Sequence, residues 1–192
     1  MGVVDRRRYS RRLLEGLRDS DLDAGILVTP LNEKGLREDV LFYEELLVYV
    51  SENNGLFQKT YVLAREIDPN KLWLLEEGHC MRSQILNLCE LKKQHETEEK
   101  LHYEAGSIET LKNLVEKNFG ITIVPELATY NLTASQKKRL RYFKPPTPVR
   151  EISIATHRQY VKDKLIEVLK ETILSLIPKE MKENKKINVL EI

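Results

Sequence analysis

With 192 residues, 41% of them apolar and 32% charged, the chain is long enough for one large or two small domains with a buried core and a well-solvated surface. A net charge of +1 excludes a general electrostatic attraction to nucleic acid or acidic membranes. No run of 18 apolar residues is present, and the opening MGVVDRRRYSRR lacks the apolar stretch of a secretory signal, so neither a membrane span nor export is expected.

The first element in chain order is RRYSRRLLEGLRDSDLD, where Leu13, Leu14 and Leu17 stand among charges as the core-facing side of an amphipathic helix. Arg6, Arg7, Arg8, Arg11 and Arg12 read as a solvated helix face, with a phosphate-binding patch as the sharper alternative. AGILVTP at 24–30 predicts a short buried strand stopped by proline, and VLFYEELLVYVS at 40–51 predicts one or two more. KLWLLEEG at 71–78 predicts a strand ending in glycine. The helix that follows, MRSQILNLCELKK, brings Ile85, Leu88 and Cys89 close to one face.

HYEAG at 102–106 is a candidate strand, and SIETLKNLVEKNFG predicts a helix capped by Ser107 and closed near Gly120. ITIVP is a strand stopped by Pro125, ELATYN a short turn or helix, and FKPPTP a rigid extended connector. REISIATH at 150–157 alternates Ile152 and Ile154 with polar residues as a strand does, and YVKDKLIEVLKETILSLIP predicts a long helix. The last fourteen residues, KEMKENKKINVLEI, are mostly charged and are expected to fray. Strands alternating with helices imply an α/β fold.

Both cysteines fall in LEEGHCMRSQILNLCE. In the reducing cytoplasm expected here, two cysteines are free, catalytic or redox-sensing more often than structurally bonded. Cys89, beside Leu86 and Leu88, reads as ordinary core filler. Cys80 follows a strand and precedes a helix, where the positive end of the helix dipole and the neighbouring His79 and Arg82 favour a thiolate. A reactive thiol and a plain loop residue both remain open for Cys80 on these grounds, and the strand-to-helix position also suits an anion or small ligand. Cys80 and Cys89 with His79 or His102 offer too few ligands at standard spacings, so no metal and no other cofactor is expected. On one unbroken helix the two cysteines would stand some 13 Å apart, whereas a disulfide needs Cα atoms about 4.4–6.8 Å apart. Such a pair suits a switch better than a staple.

The stretch EEGHCMRSQILNLC closely resembles the redox segment of the OxyR family, the peroxide-sensing LysR-type transcription regulators. In that family a G-H-C-x-R motif carries the peroxide-reacting cysteine, and a second cysteine nine residues on resolves it. Gly78, His79, Cys80, Arg82, Gln84 and Cys89 match this pattern, and Arg150 lies where the family has an arginine facing the cysteine pocket. LRDSDLDAGIL and SIETLKNLVEKNFGITIVPELA resemble flanking segments of the family, and the likeness runs from about residue 13 to residue 178. Ser83 departs from the pattern, standing where an aspartate is usual.

The resemblance implies a two-subdomain, periplasmic-binding-protein-like effector domain. Subdomain I would comprise residues 1–51 plus 156–192, and subdomain II residues 52–155 with the redox cysteines. No helix-turn-helix precedes the effector region. The family also has a strand, a helix and a strand before the helix that begins here near residue 8, so subdomain I is expected to be incomplete at its N-terminus. Implied further are hydrogen peroxide as the signal, a homodimer or tetramer with the helix at 107–119 in its interface, and a thiol reductant such as glutaredoxin or thioredoxin. DNA would be bound only through a separate N-terminal domain, with no membrane contact. Two rivals stand beside this non-enzymatic sensor. One is an effector domain binding a small molecule in the subdomain cleft. The other is a thiol peroxidase-like enzyme, for which no thioredoxin-like C-x-x-C is present.

Overall fold

The structure, a computed structural model, describes residues 8–31, 33–76, 79–90, 104–117, 119–157, 163–182 and 188–190. Strands and helices alternate along it, and the chain divides into two compact units. One comprises Met1–Glu44, Gly78–Cys80 and Val149–Ile192, the other Glu45–Glu77 and Met81–Pro148.

In the first unit, helix α1 (Arg8–Arg18) leads into strand β1 (Ala24–Thr29), which stops at Pro30 as the sequence predicts. β1 runs antiparallel to β8 (Val149–His157), in register from Ala24↔Thr156 to Thr29↔Glu151. Alternation sends Leu27 to one face, where Leu17, Leu36 and Ala155 close a core with Leu13 and Leu14 of α1. Val28 goes to the other face and packs with Leu41, Phe42, Ile152 and Ile154 against Ile166 of α5 (Asp163–Leu176) and Met181 of α6 (Lys179–Lys182).

Covering both faces of β8 also buries its polar residues. Ser153 and Thr156 are buried, as is Thr29 on β1, and the Thr29 and Ser153 hydroxyls are satisfied by one another and by an acid. Thr29 Oγ1 donates to Glu151 Oε1 at 2.8 Å and lies 2.6 Å from Ser153 Oγ, while Tyr43 donates to Glu151 Oε2 at 2.9 Å. Burial, helped by that carboxylate, pushes the Tyr43 phenol up to about 12.

In the second unit, the end of β2 (Leu36–Val50) lies between antiparallel β6 (Ile121–Pro125) and antiparallel β7 (Leu140–Phe143). β4 (Leu72–Leu75) runs parallel to β6 and to β5 (Glu104–Ala105), and β3 (Tyr61–Val62) runs parallel to β7. Helix α2 (Cys80–Leu88) follows β4. Helix α3 (Ile108–Glu116) starts where Ser107 accepts a hydrogen bond from the Thr110 N–H, and its Val115 packs with Leu47, Tyr49 and Val124. Tyr49 and Gln136 of the one-turn helix α4 (Ala134–Lys137) both donate to Glu116 Oε1, at 2.8 and 2.9 Å. Gly120 has φ +64°, and a Cβ there would collide with the Lys71 carbonyl oxygen, so the turn after α3 requires glycine on two counts.

Of the one or two strands expected at 40–51 the structure has one, which begins earlier, at Leu36, and ends at Val50. The structure departs from the sequence expectation in two places, the short elements β3, β7 and α4 and the C-terminal tail. β3, β7 and α4 had no readable pattern and are held by distant partners. Arg141 of β7, for example, donates to the carbonyls of Leu56 and Phe57 and lies 4.7 Å over the Phe57 ring. The tail expected to fray is structured where described: Lys179–Lys182 is a helical turn with Met181 fully buried, and Leu190 N–H donates to Val149 O at 2.9 Å. One apolar side chain in a core cleft outweighs the charges around it. Among the described residues no helix is long and apolar enough to cross a membrane.

Met181→Ala removes a fully buried side chain, so its expected effect is a loss of about 2–5 kcal/mol in urea unfolding. A change within about 0.5 kcal/mol, the size typical of surface positions, would show the C-terminal turn to be dispensable.

Candidate redox site

The chain leaves β4 at Leu75 and enters α2 at Cys80, the first helical residue. At that end of a helix the free backbone N–H groups face outward and favour negative charge. Cys80 is half-buried and packs against the apolar cluster of the first unit that contains Val28, Ile154 and Ile166. His79 is likewise half-buried, and Gly78 lies outside the described residues.

Arg150, on β8 in the same unit, pairs with Glu44 through Nη2···Oε2 at 3.0 Å. Both side chains are largely withdrawn from solvent, and the Arg150 Nε is buried without a hydrogen-bond partner. Leaving either member of such a pair alone in the interior is costly, so Glu44 fixes the guanidinium in place. The sequence reading missed Glu44. Its only signal is an acid inside the apolar run VLFYEELLVYV, and its partner is on a distant strand.

In the second unit, Arg82 Nη1 donates to Leu75 O at 2.9 Å and ties the first turn of α2 to the end of β4. Met81, Gln84 and Ile85 are buried, whereas Ser83 is exposed. Cys89 continues the helical ladder by donating its N–H to Ile85 O at 3.0 Å, and Glu90, with φ 55°, turns the chain out of the helix. A cavity of about 440 Å³ lies beside it, lined by Leu63, Ala64, Arg65, Leu88, Cys89 and Glu90. Arg65 at this cavity was also missed, because nothing in its local sequence points to Cys89.

The two thiols therefore differ in setting. Both are free. Cys89 is buried, and that burial pushes its thiol up to about 12. Nine helical steps of about 1.5 Å put some 13 Å between the two Cα atoms, about twice the span of a disulfide. Among the described residues no group of three His, Cys, Asp or Glu side chains is placed to hold a metal ion.

The raised Cys89 value fixes the sign of a pH effect. Folding favours the protonated thiol, so this contribution to stability is present below about 9 and is lost as pH rises toward about 12. Alkylation of the native chain should modify Cys80 first at neutral pH, with Cys89 modification climbing only as pH approaches about 12. Equal rates for the two thiols at neutral pH would contradict the burial of Cys89.

Known proteins resemble the chain in sequence and fold. The LysR substrate binding domain family matches residues 6–177. The hydrogen peroxide-inducible genes activator of Haemophilus influenzae is 33% identical over 147 residues, covering 76% of this chain and 47% of that protein. The DNA-binding transcriptional dual regulator OxyR of Escherichia coli is 33% identical over 119 residues, covering 62% of this chain and 38% of its own length. The chain thus spans about half the length, or less, of these curated relatives. The crystal structure of OxyR from Porphyromonas gingivalis superposes with a TM-score of 0.80 at 38% identity, covering 91% of this chain and 78% of that one. The reduced OxyR regulatory domain of Pseudomonas aeruginosa gives 0.74 at 28% identity, covering 86% and 78%. By sequence and by fold, the chain belongs to the LysR substrate binding domain family, in its OxyR-type branch.

Proposed function

We propose that the chain is the peroxide-sensing regulatory domain of a LysR-type transcription regulator, switching through Cys80 and Cys89. The observation that carries this reading is the asymmetry of the two thiols: one opens a helix, and the other is buried beyond its end. The relatives named for hydrogen peroxide-inducible activation support the same assignment.

In the first step the Cys80 thiolate attacks one peroxide oxygen. The S–O bond forms, the O–O bond breaks, and the second oxygen leaves as hydroxide, which takes up a proton to become water. His79, Arg82 and Arg150 supply hydrogen-bond donors and positive charge for peroxide and the departing oxygen, with Glu44 holding Arg150 and the Leu75 carbonyl holding Arg82. Gly78 and Gln84 complete the proposed peroxide site by their place in the motif. In the second step the Cys89 sulfur attacks the sulfenic sulfur of Cys80, forming the S–S bond and expelling water. Two thiols and one peroxide thus yield one disulfide and two waters, and a thiol reductant of the glutaredoxin or thioredoxin class reverses the change.

The output is conformational, so the chain acts as a regulator in the cytoplasm and not as an enzyme. It works as a homodimer or tetramer whose DNA contacts belong to a separate domain. Residues 1–51 with 156–192 and residues 52–155 form the proposed subdomains I and II.

The experiment is peroxide treatment followed by a sulfenic-acid trap. A Cys89→Ser chain should accumulate label on Cys80, and the wild-type chain should lose two thiols and gain a disulfide. Label on Cys89 in a Cys80→Ser chain would reverse the roles. In the oxidised wild-type chain, amide exchange across residues 81–88 should rise by at least an order of magnitude, because closing the disulfide opens α2. Unchanged protection with the disulfide verified by mass would remove the switch.

A further inference from the structure

The second unit holds a cavity of about 290 Å³ that the thiol chemistry does not use, and every described residue lining it belongs to that unit. The sheet register builds its floor. Leu47 of β2 stands opposite Tyr142 of β7, and Tyr49 opposite Leu140, so the four share one face of the sheet. The core of Tyr49, Val115, Val124 and Leu132 covers part of that face, and Leu47 and Leu140 border both the core and the cavity. Glu45, two residues before Leu47, continues the same side of β2. β6 ends at Pro125, and the helical turn Glu126–Thr129 carries Glu126 back to β2, where Glu45 N–H donates to Glu126 Oε2 at 3.4 Å.

The side chains around this floor share one chemical sense. Tyr130 and Tyr142 are 47% and 45% exposed, and Tyr61, 58% exposed, lies beside Tyr142 with ring centroids 6.3 Å apart. A tyrosine that serves only packing is covered, whereas these rings stay open beside a cavity. Glu45 and Glu126 are half-buried, and Lys137 at the end of α4 stands at the cavity as an exposed cation. Two carboxylates against one ammonium leave the lining negative.

We propose that this cavity is a binding site for a small organic ammonium ion, its charged head against the Tyr130 and Tyr142 rings and the carboxylates of Glu45 and Glu126. Aromatic rings attract a cation through their quadrupole, and half-buried carboxylates are less screened than surface ones. The same lining disfavours other occupants. A metal ion needs more oxygen donors, and among the described residues no three His, Cys, Asp or Glu side chains are placed to hold one. The volume is at the low end of the roughly 300–1,000 Å³ of ligand sites, which fits a small molecule. Lys137 repels a second positive charge, so the occupant carries one. The site does not depend on Cys80 or Cys89.

The test is amide NMR titration of the reduced 192-residue chain at constant ionic strength. Choline and butylammonium chlorides probe quaternary and primary heads, 3,3-dimethylbutan-1-ol and butan-1-ol are their uncharged counterparts, and spermidine is a polycation. At least one of the two ammonium ions should bind saturably, shifting amides at residues 45–47, 126–130 and 140–142, and its uncharged counterpart should not. Tyr142→Ala and Glu126→Gln should each weaken binding by roughly fivefold or more, Tyr142→Phe should leave it unchanged, and Lys137→Glu should tighten it. These positions are exposed or half-buried, and circular dichroism verifies folding. The proposal is overturned if neither ammonium ion binds, which would leave the cavity to a basic side chain of a partner or to nothing. Equal binding of the uncharged counterpart overturns it as well, as does binding indifferent to Tyr142→Ala and Glu126→Gln. Spermidine binding tightest and released by salt would mark a diffuse acidic surface and also overturn it. A Cys80→Ser chain should bind the same ions, which keeps this result separate from that of the peroxide experiment.

Discussion

A disulfide requires two Cα atoms within about 4.4–6.8 Å, and an intact helix cannot supply that between residues nine positions apart. Cys80 is the first residue of α2 and Cys89 the one after its last, so bonding them and keeping the helix are mutually exclusive. The arrangement of α2 follows from this. Met81, Gln84 and Ile85 hold the helix inward, Arg82 anchors its first turn to Leu75 O, and Cys89 is the last residue on the buried side before the left-handed turn at Glu90. On the proposed switch these contacts are what oxidation must overcome. Exposing two apolar side chains costs about 3–6 kcal/mol, which corresponds to roughly 60–130 mV of thiol–disulfide potential. The disulfide form is then strained and readily reduced, and the thiol form is the resting state.

Arg150 makes the same point in polar terms. A guanidinium withdrawn from water is tolerated when an acid accompanies it, and Glu44 is that acid. The pair neutralises its own net charge while leaving donors on the arginine, which is how a buried site presents directed N–H groups without the cost of an isolated ion. Tyr43 and Thr29 treat Glu151 similarly, giving one half-buried carboxylate two hydroxyl donors. The first unit thus holds one buried acid, Glu44, and one half-buried acid, Glu151, each with its partners on other strands.

Legibility in the sequence followed the range of the interactions responsible. Pro30 ended β1, Ser107 capped α3 and the cysteine opened α2, all local effects visible in a few residues. β7, α4 and α6 are too short for a period and are fixed by contacts from far along the chain, such as Arg141 with Phe57 and Gln136 with Glu116. Met181 shows the limit most plainly, since a single apolar residue among lysines and glutamates has no local signal of burial. At the site, the thiols and their spacing were readable because they lie in one segment. Glu44 was not, because its role is set by a strand more than a hundred residues on.

Burial of Cys89 has a kinetic consequence for the proposed chemistry. A thiol held protonated and covered cannot be the first to meet peroxide, so oxidation has to begin at Cys80. Nor can Cys89 resolve a sulfenic acid while α2 is intact, because the distance forbids it. Resolution must wait for the end of the helix to open, a local unfolding event whose frequency depends on packing around Ile85 and Leu88 rather than on thiol reactivity. The cavity beside Cys89, bounded by Leu63 and Ala64, leaves space on one side of that last turn, so the turn is less tightly held there than Ile85 is in the core. On the proposed switch the helix end would therefore act as a timer: the lifetime of the sulfenic acid would be set by how often the fold releases the second cysteine, and packing changes remote from either sulfur would alter the response.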